Sequence, residues 1–277
     1  MTHRIPVSVI VLAKNEEQNI VRCLGSLHWA EELVVVDDRS TDRTAELARL
    51  HGARVVDHPF ESFAQQRNWA LREGGLRNDW VLMLDADEVS TPEFAAEIQR
   101  AIIDASNDTV AFRTCRKTML GDAWLRRSDS FPVWIMRLVR RDRAWFADSG
   151  HGEVPVPEVD GEMGTIREPF VHHPFSRGLN DWWQRHIRYA EREARLEMLS
   201  ATQLSWSDLI KSDASKRRRA LRELARRMPC RGSLRFIYQY IVKRGFLDGR
   251  AGLQFCRMMG CYERMIVVKK WELSQER

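Results

Sequence analysis

The stretch that most constrains this chain is Trp80 to Val89, WVLMLDADEV, an apolar run that ends in three carboxylates, Asp85, Asp87 and Glu88. A strand apolar on successive residues belongs in a sheet covered on both faces, and open α/β sheets place their ligands at the C-terminal ends of such strands. Asp85 and Asp87 therefore fall at a sheet rim. In an extended segment, residues i and i+2 point to one side, close enough to share a divalent cation or, with nothing positive nearby, to repel each other. A hard cation such as Mg²⁺ or Mn²⁺, held by carboxylates with positions left open, binds a diphosphate. Two other readings stand beside that one. The acids are simply solvated at a strand end, or DADEV is a phosphatase-like nucleophile of the DxDx[TV] pattern, a chemistry that belongs on a first strand, whereas three strand-like runs come earlier here.

Residues 7–12, VSVIVL, are the first of those runs. Asn15 with Gln18 forms a capping-box pattern ahead of Ile20, Cys23, Leu24 and Leu27 at helical spacing. No GxGxxG occupies this turn, which excludes a dinucleotide site of the NAD type. The second strand, Leu33 to Val36, ends in Asp37 and Asp38, and Ser40, Thr41 or Asp42 caps a helix that Gly52 terminates. Arg54 to Asp57 is the third strand, followed by a helix from about Ser62 that carries Gln65, Gln66 and Arg67. Thr91-Pro92-Glu93 opens another helix with proline at its first position. Strands alternating with helices in this way predict a mostly parallel sheet with right-handed crossovers.

SVIVLAKNEEQNI, LVVVDDRSTDRT, QQRNWAL and WVLMLDADE, in this order and spacing, resemble the nucleotide-sugar-binding half of family 2 glycosyltransferases of the GT-A fold. PVWIMRLVRR, GHGE at 150–153 and FVHHPF at 170–175 resemble features of the bacterial subgroup that builds lipopolysaccharide core or exopolysaccharide. The resemblance implies an α/β, Rossmann-like GT-A domain at 1–178, with a nucleotide-sugar half at 1–105 and an acceptor half at 106–178. A helical, amphipathic extension is expected at 179–277. The implied reaction is inverting, metal-assisted transfer of a hexose from a UDP-sugar to a hydroxyl of a lipid-linked glycan or lipopolysaccharide core acceptor.

Carried onto this sequence, the resemblance implies that Ala13, Asn15 and Glu16 line the nucleoside pocket. Asp38, with Asp37 beside it, hydrogen-bonds the uracil, and Arg67 faces the diphosphate or the sugar. Asp87 is the direct metal ligand (Mg²⁺ or Mn²⁺), with Asp85 nearer the ribose and sugar. An inverting transfer needs one carboxylate in reach of the acceptor hydroxyl to take its proton. Glu153 is the first candidate and Asp122 the second. Many relatives show His and Glu adjacent where Gly152 here separates His151 from Glu153, which leaves open which side chain enters the site. His151, His172 and His173 are candidate metal ligands, diphosphate donors or ordinary polar residues. Trp124, Trp134 and Trp145 stack on a sugar ring or pack in the core.

Charge decides how the C-terminal third is read. The chain carries a net +5, yet Lys211 to Arg235 alone holds ten Lys or Arg against Asp213 and Glu223. Beyond it come Phe236, Ile237, Tyr240, Ile241 and Phe246 in an amphipathic pattern. Polybasic residues beside such a helix suit an anionic membrane surface, where a lipid-borne acceptor resides. A charged helix packed on the catalytic domain is the plainer reading. Nucleic acid would answer to the same charge, but no recognised module accompanies it, so none is expected as a partner. Gln184 and Arg188 lack the QxxRW spacing of processive synthases, and no membrane spans follow. Five cysteines with no CxxC pair read as buried thiols in a reducing compartment. With no signal-peptide pattern at the start, the expected place is the cytoplasm, peripheral on the inner face of the membrane. A catalytically silent relative that only binds glycan or membrane is the remaining alternative.

Overall fold

The computed structural model describes residues 4–149, 152–155, 161–199, 228 and 230–275. The chain divides into two compact units, Met1–Trp124 with Phe131–Gly178, and Leu125–Ser130 with Leu179–Arg277.

The first unit is built on a sheet whose early strands are β1 (Ile5–Ala13), β2 (Ala30–Asp37), β3 (Arg54–Asp57) and β4 (Trp80–Asp85), in the spatial order β3-β2-β1-β4 and all parallel. Alternation sorts their side chains between two cores. Val7, Val9, Val11, Val35, Leu82 and Leu84 join one, while Ile10, Val34, Val36, Val81 and Met83 join the other. Both faces are covered, which explains strands with no polar side. Each such burial stabilises the fold by about 1.5–3 kcal/mol.

The helices α1 (Ile20–Gly25), α2 (Thr44–Leu50), α3 (Phe63–Glu73) and α4 (Pro92–Asp104) connect and cover these strands. Ser62 caps α3 by accepting from the Gln65 N–H, and Thr91 caps α4 by accepting from Phe94, with Pro92 following it. The Asn15–Gln18 capping box does not form. Asn15 sits in the left-handed region at φ 52°, and its Oδ1 accepts from the Thr41 N–H at 2.8 Å. A partner from the next β-α connection outcompetes the local one, and α1 starts only at Ile20.

Beyond α4 the sheet continues with β8 (Trp134–Arg140) antiparallel to β4, then β6 (Thr109–Leu120), β12 (Phe170–His172) and the short β5 (Glu88–Val89). β7 (Ala123–Trp124) and β11 (Glu162–Thr165) also pair with β6, and β9 (Phe146–Ser149) with β10 (Gly152–Pro155) forms a separate antiparallel ribbon.

The second unit holds α5 (Gly178–Leu199), α6 (Arg231–Ile237), a π turn at Tyr238–Val242, a 3₁₀ turn at Gly245–Asp248 and α7 (Gly249–Gln275). Ala190, Ala194, Tyr262, Ile266 and Leu273 form its core. Arg231 bonds Glu197 on α5 and Glu263 on α7, so one guanidinium ties three helices. All five cysteines are free. Cys23, Cys115 and Cys256 are buried as expected, whereas Cys230, on the turn before α6, and Cys261, on α7, are exposed.

Candidate active site

The rim follows directly from strand register. Ala13 pairs with Asp37 across β1 and β2, and Leu12 pairs with Asp85 across β1 and β4. The acids that end two separate strands thus emerge on one edge of the sheet. That edge lies at the switch point of the 3-2-1-4 order, where crossovers leave in opposite directions and open a crevice.

On the β1–β2 side, Asp37 is buried and accepts from the backbone and hydroxyl of Ser40, which shapes the loop. Asp38 pairs with Lys14 at 2.6 Å and accepts from the Phe60 N–H. The Glu16 N–H donates to Thr44 Oγ1, and its carboxylate meets Arg177 at 3.0 Å. The same Arg177 Nη1 donates to the carbonyls of Lys14 and Asn15. Ala13, Asn15, Glu16, Asp37 and Asp38 are therefore neighbours in one loop cluster. His58 stacks on Trp69 at 4.0 Å beside it.

On the β4 side the chain turns at Ala86 and Asp87, so the expected extended i, i+2 arrangement is not formed. The two aspartates instead have different surroundings. Asp85 Oδ1 accepts from Arg67 on α3 and Oδ2 from Arg137 on β8, each at 2.9 Å. Burial alone would raise its pKa, but the charges of Arg137 and Arg67 outweigh that and hold the carboxyl well below the usual carboxylate range. Arg137 also donates to Glu88 at 2.9 Å, and the second Glu88 oxygen accepts from the Asp85 N–H. Burial pushes Glu88 up, Arg137 opposes it, and the neighbouring aspartates add to the rise.

Asp87 faces His172, with Nε2 3.5 Å from Oδ2. Burial lowers the histidine's pKa, but the Asp87 carboxylate more than offsets this and holds it above 6.5. What brings them together is a two-residue ladder, Glu88 with His172 and Val89 with Val171, reinforced by the His173 N–H donating to the Asp87 carbonyl. Two sequence motifs far apart in the chain thus meet at one carboxylate.

The remaining candidates are spread more widely. Arg67 is buried, and its contact with Asp85 is one that its expected place at the diphosphate did not include. Asp122 is exposed on the turn between β6 and β7. Glu153 lies on β10, its backbone opposite Asp148. His151 lies outside the described residues. Trp124 packs edge-on to Phe131, Arg113 lies over Trp134, and Trp145 packs under Arg72. Arg137 and Glu88 were given no role from sequence. A charged residue inside the apolar run VWIMRLV was the available signal, since a buried arginine requires a buried acid.

Asp87 and His172 offer a carboxylate and an imidazole side by side, although no cluster of three metal-ligating side chains occurs among the described residues. Two protein donors fit Mg²⁺ or Mn²⁺, which keep waters and take further oxygens from substrate phosphates. Donors in adjacent positions around an ion at about 2.1 Å stand about 3 Å apart, close to the separation seen here.

A parallel sheet with rim acids at its switch point, extended by antiparallel strands that return to the same rim, defines a GT-A fold. The chain belongs to glycosyl transferase family 2, whose family model matches residues 8–155. It is 30% identical over 180 residues to the lipopolysaccharide core biosynthesis glycosyltransferase LpsC of Rhizobium meliloti, covering 62% of this chain and 64% of that one. It is 36% identical over 103 residues to an uncharacterized glycosyltransferase of Rickettsia typhi, covering 37% of this chain and only 35% of that protein. Among solved structures, the mannosyltransferase PcManGT of Pyrobaculum calidifontis, in complex with GDP-Man and Mn²⁺, matches with a TM-score of 0.53 at 18% identity. That match covers 98% of this chain and 88% of that one.

Proposed function

We propose that the protein transfers a hexose from UDP-sugar to a hydroxyl of a lipid-linked glycan or lipopolysaccharide core acceptor, with inversion, at the cytoplasmic face of the membrane. The observation that carries this reading is the convergence of Asp37 and Asp38 with Asp85 and Asp87 on one rim, with His172 brought to Asp87. The likeness to LpsC supports the acceptor class.

Asp38 and the Asn15 loop would receive the nucleoside, and Asp87 with His172 would hold Mg²⁺ or Mn²⁺. The cation, when bound, supplies positive charge to the departing diphosphate. Asp85, anchored by two arginines, orients the sugar without adding net repulsion. With both oxygens engaged it is poorly suited to attack phosphorus, which weighs against a phosphohydrolase. The acceptor oxygen forms its bond to the anomeric carbon as the bond from that carbon to the phosphate oxygen breaks, its electron pair leaving with the diphosphate. The acceptor proton passes to Glu153, or to Asp122 if Glu153 does not serve.

Thermal-shift titration with UDP- and GDP-hexoses, with and without Mn²⁺, tests the donor. Ligand at a hundredfold excess over Kd stabilises by about 2.7 kcal/mol. The expected result is a Mn²⁺-dependent rise with a UDP-hexose. A rise with GDP-sugars alone overturns the base assignment, and no rise with any nucleotide sugar overturns the transfer reading.

A further inference from the structure

Among the described residues, the second unit carries an apolar face left exposed. From α6 through the 3₁₀ turn, Ile237, Tyr238, Ile241, Val242, Phe246 and Leu247 are all exposed, with Val242 at 63% and Leu247 at 60%. Single exposed apolar residues are ordinary, but six within eleven positions form a patch.

The inner side of the same segment is firmly held. Arg231 is buried against Glu197 and Glu263, and buried Gln239 donates to the Ser128 carbonyl at 3.1 Å. Gly245 lies so close to the Gln239 carbonyl that a Cβ there would come within 2.7 Å of it. The segment therefore cannot roll over to bury its outer face.

Charge identifies what covers that face. Between Arg231 and Arg250 the sequence has five basic residues and one acid, Asp248. Asp248 is turned inward, accepting from the Arg127 and Ser128 N–H groups and from the Ser128 hydroxyl. Lys243, Arg244 and Arg250 are exposed beside the apolar residues. The chain segment entering α6 is itself strongly basic, Lys211 to Cys230 holding eight Lys or Arg against Asp213 and Glu223. No helix among the described residues is long and apolar enough to cross a membrane. Apolar side chains rimmed by cations, on a rigidly anchored turn, match an interface where acyl chains lie beneath anionic headgroups.

We propose that Ile237–Leu247 is a docking face for an anionic bilayer surface, with the exposed apolar side chains entering the headgroup boundary and Lys243, Arg244 and Arg250 meeting lipid phosphates. The assignment gives the membrane location proposed above its residues, and it uses none of the transfer chemistry.

Sedimentation of the full chain with lipid vesicles tests it without an activity readout. The wild type is expected to pellet with phosphatidylcholine vesicles containing phosphatidylglycerol and to remain free with phosphatidylcholine alone. Ile241→Asp with Phe246→Asp, both at exposed positions, should lower the vesicle partition coefficient by at least about tenfold. Lys243→Glu with Arg250→Glu should do so by about tenfold or more, with the effect lost at high salt. The charge pair decides the matter if the apolar pair alters the circular dichroism melt. Trp271, exposed about 33 Å further along α7 at its rise per residue, is the control, and Trp271→Asp should leave partitioning unchanged. The proposal fails if both double variants partition like wild type, if Trp271→Asp matches their loss, or if neutral vesicles bind as well. It also fails if sedimentation velocity shows a dimer that Ile241→Asp with Phe246→Asp separates, or if oligonucleotides compete through the same residues.

Discussion

Arg137 Nη2 lies 2.9 Å from Glu88 Oε1 in the interior of the first unit, with both side chains almost wholly withdrawn from solvent. The same nitrogen reaches Asp85, so one guanidinium supports two carboxylates and fixes the turn between them. Arg137→Met strips the cation from Glu88 and leaves Asp85 with Arg67 alone, and should cost about 3–5 kcal/mol in urea unfolding, the usual penalty for breaking a buried pair. Arg137→Lys should retain part of the stability, because both contacts come from one nitrogen and an ammonium can still donate there.

Asp87 lies partly buried at the rim, its side chain 16% exposed and facing His172. Asp87→Asn is expected to leave the urea midpoint nearly unchanged while removing Mn²⁺-dependent nucleotide binding, read by calorimetric titration. His172→Gln should weaken that cation dependence by about 10–100-fold. Metal-independent turnover in Asp87→Asn would sink the assignment of the cation to this carboxylate.

Glu153→Gln keeps size and hydrogen bonding but removes the proton acceptor. Turnover should fall about 10²–10⁴-fold with UDP affinity retained. If Asp122→Asn produces that loss instead, the base lies on the β6–β7 turn.

Acid stability should be set in part by Glu32, which is buried and accepts from Ser8 Oγ at 2.6 Å and from the Arg77 N–H at 2.9 Å. Burial raises its pKa, but these bonds and Arg54 outweigh that, and the folded value lies below the ordinary 4.5. A carboxylate whose pKa is depressed by folding contributes stability above its unfolded pKa and loses it as pH falls through the folded value. Glu32→Gln should therefore flatten the decline in stability below about pH 4.5, measured by urea unfolding along a pH series. At neutral pH it should cost about 1–3 kcal/mol.

Helices α6 and α7 touch at Gly232 and Gly260. A Cβ on Gly232 would stand 2.5 Å from the Gly260 carbonyl oxygen, so Gly232→Ala must separate the helices. Overpacking of this kind costs about 1–3 kcal/mol, visible as a lower melting temperature.

The rim was legible because apolar strands with no polar face announce a covered parallel sheet, and the acids ending them can lie only at its edge. Ser62 and Thr91 were legible as caps because their partners lie three residues away. Asn15 was not, since Thr41 is contributed by another connection. The pairing of β5 with β12 was hidden for a similar reason, because strands of two and three residues carry no periodicity. Arg137 showed as an anomaly within an apolar strand, but which acids it serves depends on β8 lying next to β4.

That small ladder has a thermodynamic corollary. The strand bearing His172 cannot shift without straining the bond from the His173 N–H to the Asp87 carbonyl. On the proposed function, a ligand that displaced this strand would alter nucleotide affinity, and reciprocity would then require nucleotide to alter that ligand's affinity by the same factor.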